Sequence, residues 1–420
     1  MIDEINVKNS ESDFLTGEEA LALLGVKPAT LYSYVSRGLI RRIQSAGTRR
    51  SRYARADIEK LHARRRGAMS KIGAAGDAMR WGEPVVGTCI TAITAQGPVY
   101  RKRAAIDLAN SGASFEAVVH LLMTGIWPEE VEGWTVITTP ASVLHQLRRP
   151  VNLPGSADFG RLLASTVLAL GMEGRGTSEL SGGSTTQSAR LILQTLAGAF
   201  GLLSPARKFV ARREGETIAA LVLRASGSPA TGAAQLNSAL VMLADHELAS
   251  ATFVARVAAS TQADLFNCVA AAICAHSGSA TGVATDHAFE KLLKAATGRN
   301  ADALVALVRE RGATAFGFNH PMYARGDPRA DHLIRMAEAV RPVDLQARRF
   351  LSLIGRCREE LDTHPGVAVA LTALVRALGM PPASAGALWI LSRSAGWMAH
   401  ALEQRTQAYM LRPRARYMSS

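Results

Sequence analysis

The sequence predicts an all-α fold, and three observations carry that prediction. The apolar residues are mainly Ala, Leu and Val, aromatics make up only 5% of the chain, and long Ala- and Leu-rich stretches recur. Ala and Leu stand at the helix-forming end of the propensity scale, and so few aromatics leave little of the signal that marks strands. With 420 residues, 48% hydrophobic and 20% charged, the chain has the composition of a soluble globular protein with room for two or three domains. Its four cysteines, Cys89, Cys268, Cys274 and Cys357, have neither metal-ligand nor redox-motif spacing, which fits a reducing cytoplasm.

The first predicted element is a helix over residues 18–24. Thr16 stands at its N-cap, Glu18 and Glu19 lie in the first turn where the helix dipole favours acidic groups, and Gly25 ends it. Pro28 opens a second helix that runs to about Ser36, with Leu31 and Val35 on one face. Two short helices joined through a glycine form a helix-turn-helix. Residues 43–53, turning at Gly47, read as a short basic wing carrying Arg49, Arg50 and Arg52, and Asp57 starts a third helix that ends in Arg64, Arg65 and Arg66.

Charge sharpens this reading. The chain carries a net +13, and residues 37–66 alone hold eleven Lys and Arg against Asp57 and Glu59. Concentrated in one segment, such an excess points to a polyanionic partner. The segment resembles winged helix-turn-helix modules of the MerR/excisionase type. By that resemblance Lys27, Thr30, Tyr32, Ser33 and Tyr34 would face the major groove, and the wing arginines Arg49, Arg50 and Arg52 would hold phosphate. The alternative for residues 15–66 is a basic helical module that packs on the main body or binds a partner protein.

Farther along, the Gly/Ala-rich residues 67–82 read as a linker, and the glycine-rich residues 171–184 as a surface loop. The N-terminus has no basic region leading into an apolar one, so no secretory signal is expected. The most apolar window, residues 263–284, is interrupted by Asp264, Asn267 and His276. It predicts a buried core helix rather than a membrane span, and a cytoplasmic protein.

Several motifs in the main body occur in a fixed order. Tyr100-Arg101-Lys102 and Leu121-Leu122-Met123-Thr124-Gly125-Ile126-Trp127-Pro128 come first. Ala244-Asp245-His246-Glu247-Leu248, Gly317-Phe318-Asn319-His320 and Asp327-Pro328-Arg329 follow. Ser392-Arg393-Ser394-Ala395-Gly396-Trp397-Met398-Ala399-His400 and Arg412-Pro413-Arg414 close the chain. In this order they resemble citrate synthases. The resemblance implies a two-domain helical fold: a module at 1–66, a linker at 67–83, a large domain over 84–282 and 381–420, and a small domain over 283–380. It also implies an active site between the two domains, a dimer, and condensation of an acyl-CoA with a 2-oxo acid such as oxaloacetate.

That chemistry needs a carboxylate base, a neutral donor for the enolate and a second donor to polarise the carbonyl, with arginines to hold the dicarboxylate. Carried over by the resemblance, His246, Arg329 and Arg393 would bind the dicarboxylate, Arg412 would reach into a partner's site, and His320 would polarise the carbonyl. Taken singly, these residues also read as a capped core histidine (His246) and surface charge (the arginines). The resemblance breaks at two catalytic positions. Thr281 stands where the family carries the histidine that stabilises the enolate, and Ala368 where it carries the aspartate base. Lys102 stands where the family has glycine, and Thr285 where it has asparagine. Asp362, His364, His276 and His287 are nearby candidates for a substitute base.

Three readings follow. One is a catalytically impaired, ligand-sensing regulator that keeps the dicarboxylate site. Another is a working citrate or 2-methylcitrate synthase with a DNA-binding-like module. The third is a non-catalytic subunit that donates Arg412 across a heterodimer with an intact citrate synthase. Whether the chain is an enzyme stays open at this stage. No tightly bound cofactor is expected, with acyl-CoA a possible co-substrate; the expected partners are an oxaloacetate- or citrate-type anion, DNA, a second subunit, and no membrane.

Overall fold

The computed structural model describes residues 14–24, 26, 28–36, 40–44, 51–55, 57–59, 86–129, 133–148, 156–173, 182–278, 301–323, 325–342, 344–407 and 409–412. The chain divides into two units, Met1–Gly87 and Thr88–Ser420.

In the first unit, strand β1 (Phe14–Thr16) leads into helix α1 (Gly17–Leu24), then α2 (Pro28–Ser36), β2 (Arg42–Gln44) and β3 (Ser51–Ala54). The strands form an antiparallel sheet in the order β1-β3-β2, with Leu15 opposite Tyr53 and Arg42 also opposite Tyr53. The β2–β3 pair is the predicted wing, while β1 is an added strand that the sequence reading did not foresee. Thr16 caps α1 as expected: its Oγ1 accepts from Glu19 N–H at 3.3 Å, and Glu19 Oε2 accepts from Thr16 N–H at 2.8 Å. Leu15, Ala20, Leu24, Leu31, Ile40, Tyr53 and Ile58 make a small core. The Arg41 guanidinium and backbone N–H both bind the Asp57 carboxylate at 2.9–3.1 Å, which neutralises this arginine locally.

The second unit opens with a short antiparallel meander, β4 (Thr91–Thr94), β5 (Gly97–Tyr100) and β6 (Arg103–Ala104). The turn into β6 places Arg101 at φ 46° and Lys102 at φ 73°. Left-handed backbone suits glycine and costs a side-chain-bearing residue about 1 kcal/mol or more. Lys102 is exposed, so Lys102→Gly is expected to stabilise the protein by about 0.5–1 kcal/mol. A rise in the urea midpoint checks this; an unchanged or lower midpoint contradicts it.

Helices build the rest. They are α3 (Ala105–Asn110), α4 (Phe115–Thr124), α5 (Ala141–Leu147), α6 (Ser156–Met172), α7 (Gly182–Ala199), α8 (Ile218–Ser226), α9 (Ala233–Leu243), α10 (Ser250–Ser260) and α11 (Leu265–His276). After them come α12 (Ala301–Arg311), α13 (Pro328–Ala339), α14 (Leu345–Leu361), α15 (Val367–Ala377) and α16 (Ser384–Thr406). The predicted all-α class holds, with strands confined to the two small sheets among the described residues. α10 and α11 pack as a pair, with α6 against α11 and α16 across both, while α13 pairs with α15 and α12 with α14. Helix α4 stops at Gly125, whose φ of 77° is the left-handed backbone that glycine adopts freely. The apolar window contains the buried helix α11, and no described helix is long and apolar enough to cross a membrane.

The predicted surface loop at 171–184 is corrected at both ends. Gly171 lies inside α6, and Gly182 begins α7. A Cβ on Gly171 would sit 3.1 Å from Phe266 Cβ, so this glycine allows α6 and α11 to approach closely rather than marking a turn. The remaining residues of that stretch, 174–181, and the linker 67–82 lie outside the described residues.

Helix α16 is the axis of the unit. It is buried on nearly every side, which explains its weak amphipathic pattern. Near its end Glu403 accepts from Arg256 Nη1 at 2.9 Å, and from Thr88 Oγ1 and Cys89 N–H at 2.7 Å each. The first residues of the unit are thereby fastened to its central helix.

Candidate functional site

Four elements deliver the site residues. Helix α9 ends at Leu243, and the chain turns through Ala244, Asp245 and His246; the segment after Phe316 carries His320 and Tyr323; the first turn of α13 carries Arg329; and α16 supplies Arg393. The docking of α16 on α9 sets their positions. Ser392 Oγ donates to Leu240 O at 2.5 Å, and Gly396 N–H donates to Ala244 O at 3.0 Å. One face of α16 thereby satisfies carbonyls that α9 leaves without partners at its C-terminus. Tyr100, fully buried, places its hydroxyl 3.0 Å from Met242 O and 3.2 Å from Asp245 O, bracing the same turn from the meander.

The two central arginines are buried, not surface charge: Arg329 is 1% exposed and Arg393 4%. Arg329 is clamped by Asp327, with Nε 3.0 Å from Oδ1 and Nη2 2.7 Å from Oδ2. Asp327 Oδ1 also caps α13 by accepting from Arg329 N–H at 3.0 Å. Burial alone would lower the Arg329 pKa; the Asp327 carboxylate outweighs it and raises the pKa. Among the described residues Arg393 has no such clamp, and burial, helped by Arg329, pulls its pKa down to about 10. It remains charged at neutral pH. Nη1 of Arg329 and Nε and Nη1 of Arg393 are buried with no hydrogen-bond partner among the described residues. Buried N–H groups of this kind are costly unless an acceptor reaches them.

Beside these cations lie neutral imidazoles. His246, 7% exposed, has its pKa held well below the usual imidazole range by burial, then by Arg329, Arg393 and His320. His320 is shifted the same way, chiefly by burial. The two rings meet edge-to-face at 5.6 Å. His320 Nδ1 accepts from Met322 N–H at 3.2 Å, so the proton of the neutral ring sits on Nε2, ready to be donated. Behind the site, Asp245 Oδ2 lies 3.1 Å from His400 Nε2 with both side chains fully buried. Burial would raise the Asp245 pKa, but His400 and Arg393 overcome it and hold the carboxyl below its ordinary value. The result is a cluster of buried cations with neutral imidazoles beside them, a cradle suited to a small carboxylate-bearing molecule.

The structure therefore brings together His246, His320, Arg329 and Arg393. Ala368 is half-buried in the first turn of α15. The residues just before it are strapped to the His320 segment. Asn319 N–H donates to His364 O at 2.7 Å, His364 N–H to Asn319 Oδ1 at 2.8 Å, and Gly366 N–H to Gly317 O at 2.8 Å. The methyl group of Ala368 can neither take nor give a proton. Arg412 is exposed near the end of the described chain. Thr281, Thr285, His287, Lys27, Arg49 and Arg50 lie outside the described residues. Of the other residues expected to face DNA, Thr30 and Tyr34 are half-buried on α2 and Arg52 is half-buried on β3; Tyr32 and Ser33 fall within α2, and their side chains are outside the description. Among the suggested substitute bases, Asp362 is exposed at the left-handed C-cap of α14. His276 packs between Trp389 and Trp397, and burial, aided by Arg393, brings its pKa to about 4. His364 is half-buried, with its ring against Gly326.

Sequence reading gave no role to Asp327, Tyr323 or the Asp245–His400 pair. For Asp327 a signal existed, since Asp followed by Pro is a helix N-cap and N1 pattern. For Tyr323 and His400 nothing local distinguishes a site residue from a core one.

Comparison with known proteins accords with this architecture. Residues 79–414 match the family described as citrate synthase, C-terminal domain, and residues 14–66 match a helix-turn-helix domain. The chain is 31% identical over 184 residues to citrate synthase 2 of Bacillus subtilis, covering 43% of this chain and 50% of that protein. To a 2-methylcitrate synthase of Mycobacterium tuberculosis it is 29% identical over 182 residues, covering 42% and 46%. The chain thus spans about half the length of the curated relatives it matches. Its fold is similar to a citrate synthase of Thermoplasma acidophilum solved in ternary complex with carboxymethyl coenzyme A and oxaloacetate. That likeness has a TM-score of 0.68 and 20% identity, and covers 80% of this chain and 94% of that one. A citrate synthase of Thermotoga maritima gives a TM-score of 0.66 at 20% identity, over 81% and 94%. With the family match running across residues 79–414 and a helix-turn-helix domain ahead of it, the chain belongs to the citrate synthase family.

Proposed function

We propose that the chain is a catalytically impaired citrate synthase relative that binds an oxaloacetate- or citrate-type anion and serves as a ligand-responsive, DNA-binding regulator in the cytoplasm. The observation that carries this reading is the set of unpartnered N–H groups on the buried Arg329 and Arg393, two cations close enough to His246 and His320 to help hold both imidazoles neutral. The guanidiniums would pair with carboxylates, and His320 Nε2–H would polarise a 2-oxo group. Condensation further requires a base for the acyl methyl of an acyl-CoA co-substrate and a donor for the enolate, and the matching positions hold Ala368 and Thr281. Loss of one positioned acid or base lowers rate by about 10²–10⁴-fold. The helix-turn-helix of residues 15–66, with its basic wing, supports DNA as the macromolecular partner. Exposed Arg412 is the residue a second subunit, identical or an intact synthase, would receive.

The test is calorimetric titration of oxaloacetate and citrate into the full chain, run beside thiol release from acetyl-CoA and propionyl-CoA. Binding is expected with turnover at least about 10²-fold below that of the Thr281→His/Ala368→Asp variant. Wild-type turnover matching that of the variant would overturn the impaired reading. In the same preparation, retention on DNA should weaken steeply with salt and change when the anion is added.

A further inference from the structure

We propose that Tyr323 is a specificity-determining residue of the cradle, its hydroxyl reading the oxygen on carbon 2 of a bound dicarboxylate. The inference rests on the reading of the cradle as a dicarboxylate site and adds to it a residue without an assigned role.

Tyr323 is 4% exposed and stands at the centre of the site. Its hydroxyl lies 2.8 Å from His246 Nε2. Its ring centroid is 5.8 Å from that of His246 and 5.4 Å from that of His320, and the Arg329 guanidinium lies 5.8 Å from the ring. The backbone holds it there: Tyr323 N–H donates to His320 O, and Gly326 N–H donates to Tyr323 O, both at 3.0 Å. The phenol cannot drift from His320 without unwinding that turn.

A phenol hydroxyl has one proton and two lone pairs. His246 engages one of these capacities, and among the described residues the hydroxyl makes no second hydrogen bond. Burial lifts its pKa to about 12, so it keeps its proton; the capacity that His246 leaves over, proton or lone pair, is the one open to a ligand's oxygen or hydroxyl. The unpartnered guanidinium N–H groups read negative charge and serve any dicarboxylate equally. An uncharged ketone or hydroxyl oxygen must instead be read by neutral groups. Tyr323, lodged between the two neutral imidazoles, is placed to do this. A site that hydrogen-bonds a substrate oxygen rejects the analogue lacking it, because the buried group is left without its partner.

The experiment titrates oxaloacetate, malate and succinate into the full-length wild type and into Tyr323→Phe, which keeps the ring. Wild type is expected to prefer malate to succinate by about tenfold, the discrimination one neutral hydrogen bond supplies. In Tyr323→Phe that ratio should fall about fivefold, the remainder being what His320 supplies, with succinate affinity nearly unchanged, and Tyr323→Met should show the same fall. The ratio is the readout, so a general loss of affinity does not imitate the effect. A preserved ratio in the variants, or an equal loss for malate and succinate, overturns the assignment of Tyr323. Equal wild-type binding of malate and succinate overturns it too, while leaving the dicarboxylate site intact. If wild type binds none of the three, the dicarboxylate reading itself falls.

Discussion

Replacing Arg329 with Met is expected to lower the stability of the main unit by about 3–5 kcal/mol and to abolish binding of the anion. Arg329 and Asp327 are both at least 98% buried, and the guanidinium grips the carboxylate through two nitrogens. Removing the cation leaves Asp327 as a buried charge with no countercharge, which costs far more than the pair contributes. The double variant Asp327→Asn/Arg329→Met should therefore recover most of the loss, because Asn keeps the helix cap on α13 without a charge. Urea unfolding followed by circular dichroism measures all three proteins. A single variant within about 1 kcal/mol of wild type would mean that the pair is hydrated, contrary to its burial. The double variant should still fail to bind the anion, separating the structural role of Arg329 from its role in the cradle.

The second large effect is expected from the addition of one methyl group. A Cβ on Gly396 would lie 2.2 Å from Asp245 Oδ1 and 2.7 Å from both Ala244 O and Asp245 Cβ. None of these neighbours is a flexible tip. Ala244 O already accepts from the Gly396 N–H, and Asp245 is held by His400. Gly396→Ala must therefore push α16 away from the end of α9, at a cost of about 3 kcal/mol, the upper part of the range for overpacked cores. The same shift would separate Arg393 from His246 and weaken anion binding. Thermal unfolding and the titration described above check both effects. An unaltered melting temperature would show that the helices have slack, which the distances deny.

The order of the motifs made the family and the cradle legible from sequence, and His246, His320, Arg329 and Arg393 do converge. What the sequence concealed is of two kinds. One is pairing at a distance: Asp245 with His400, and Tyr323 with His246, join residues 155 and 77 positions apart, and no local pattern announces such partners. The other is ambiguity of residue type. Glycine serves turns and close helix crossings alike, so Gly171 reads as loop in a glycine-rich run although it lies in α6 against Phe266. The strand at Phe14–Thr16 was hidden for a related reason, since its three residues take their shape from pairing with Ser51–Ala54.

Helix α16 and the His320 segment differ in how they open. α16 is packed on almost all sides, so its backbone hydrogen bonds break only when the unit as a whole unfolds. The segment around His320 is short, partly exposed and held by its own turn hydrogen bonds and a short strap to residues 364–366, so it can part locally at smaller free energy than α16. The cradle is thus built half on a part of the protein that never lets go and half on a part that does. An anion spanning Arg393 and His320 would join the two, and its binding energy would be spent on suppressing the opening of the weaker half.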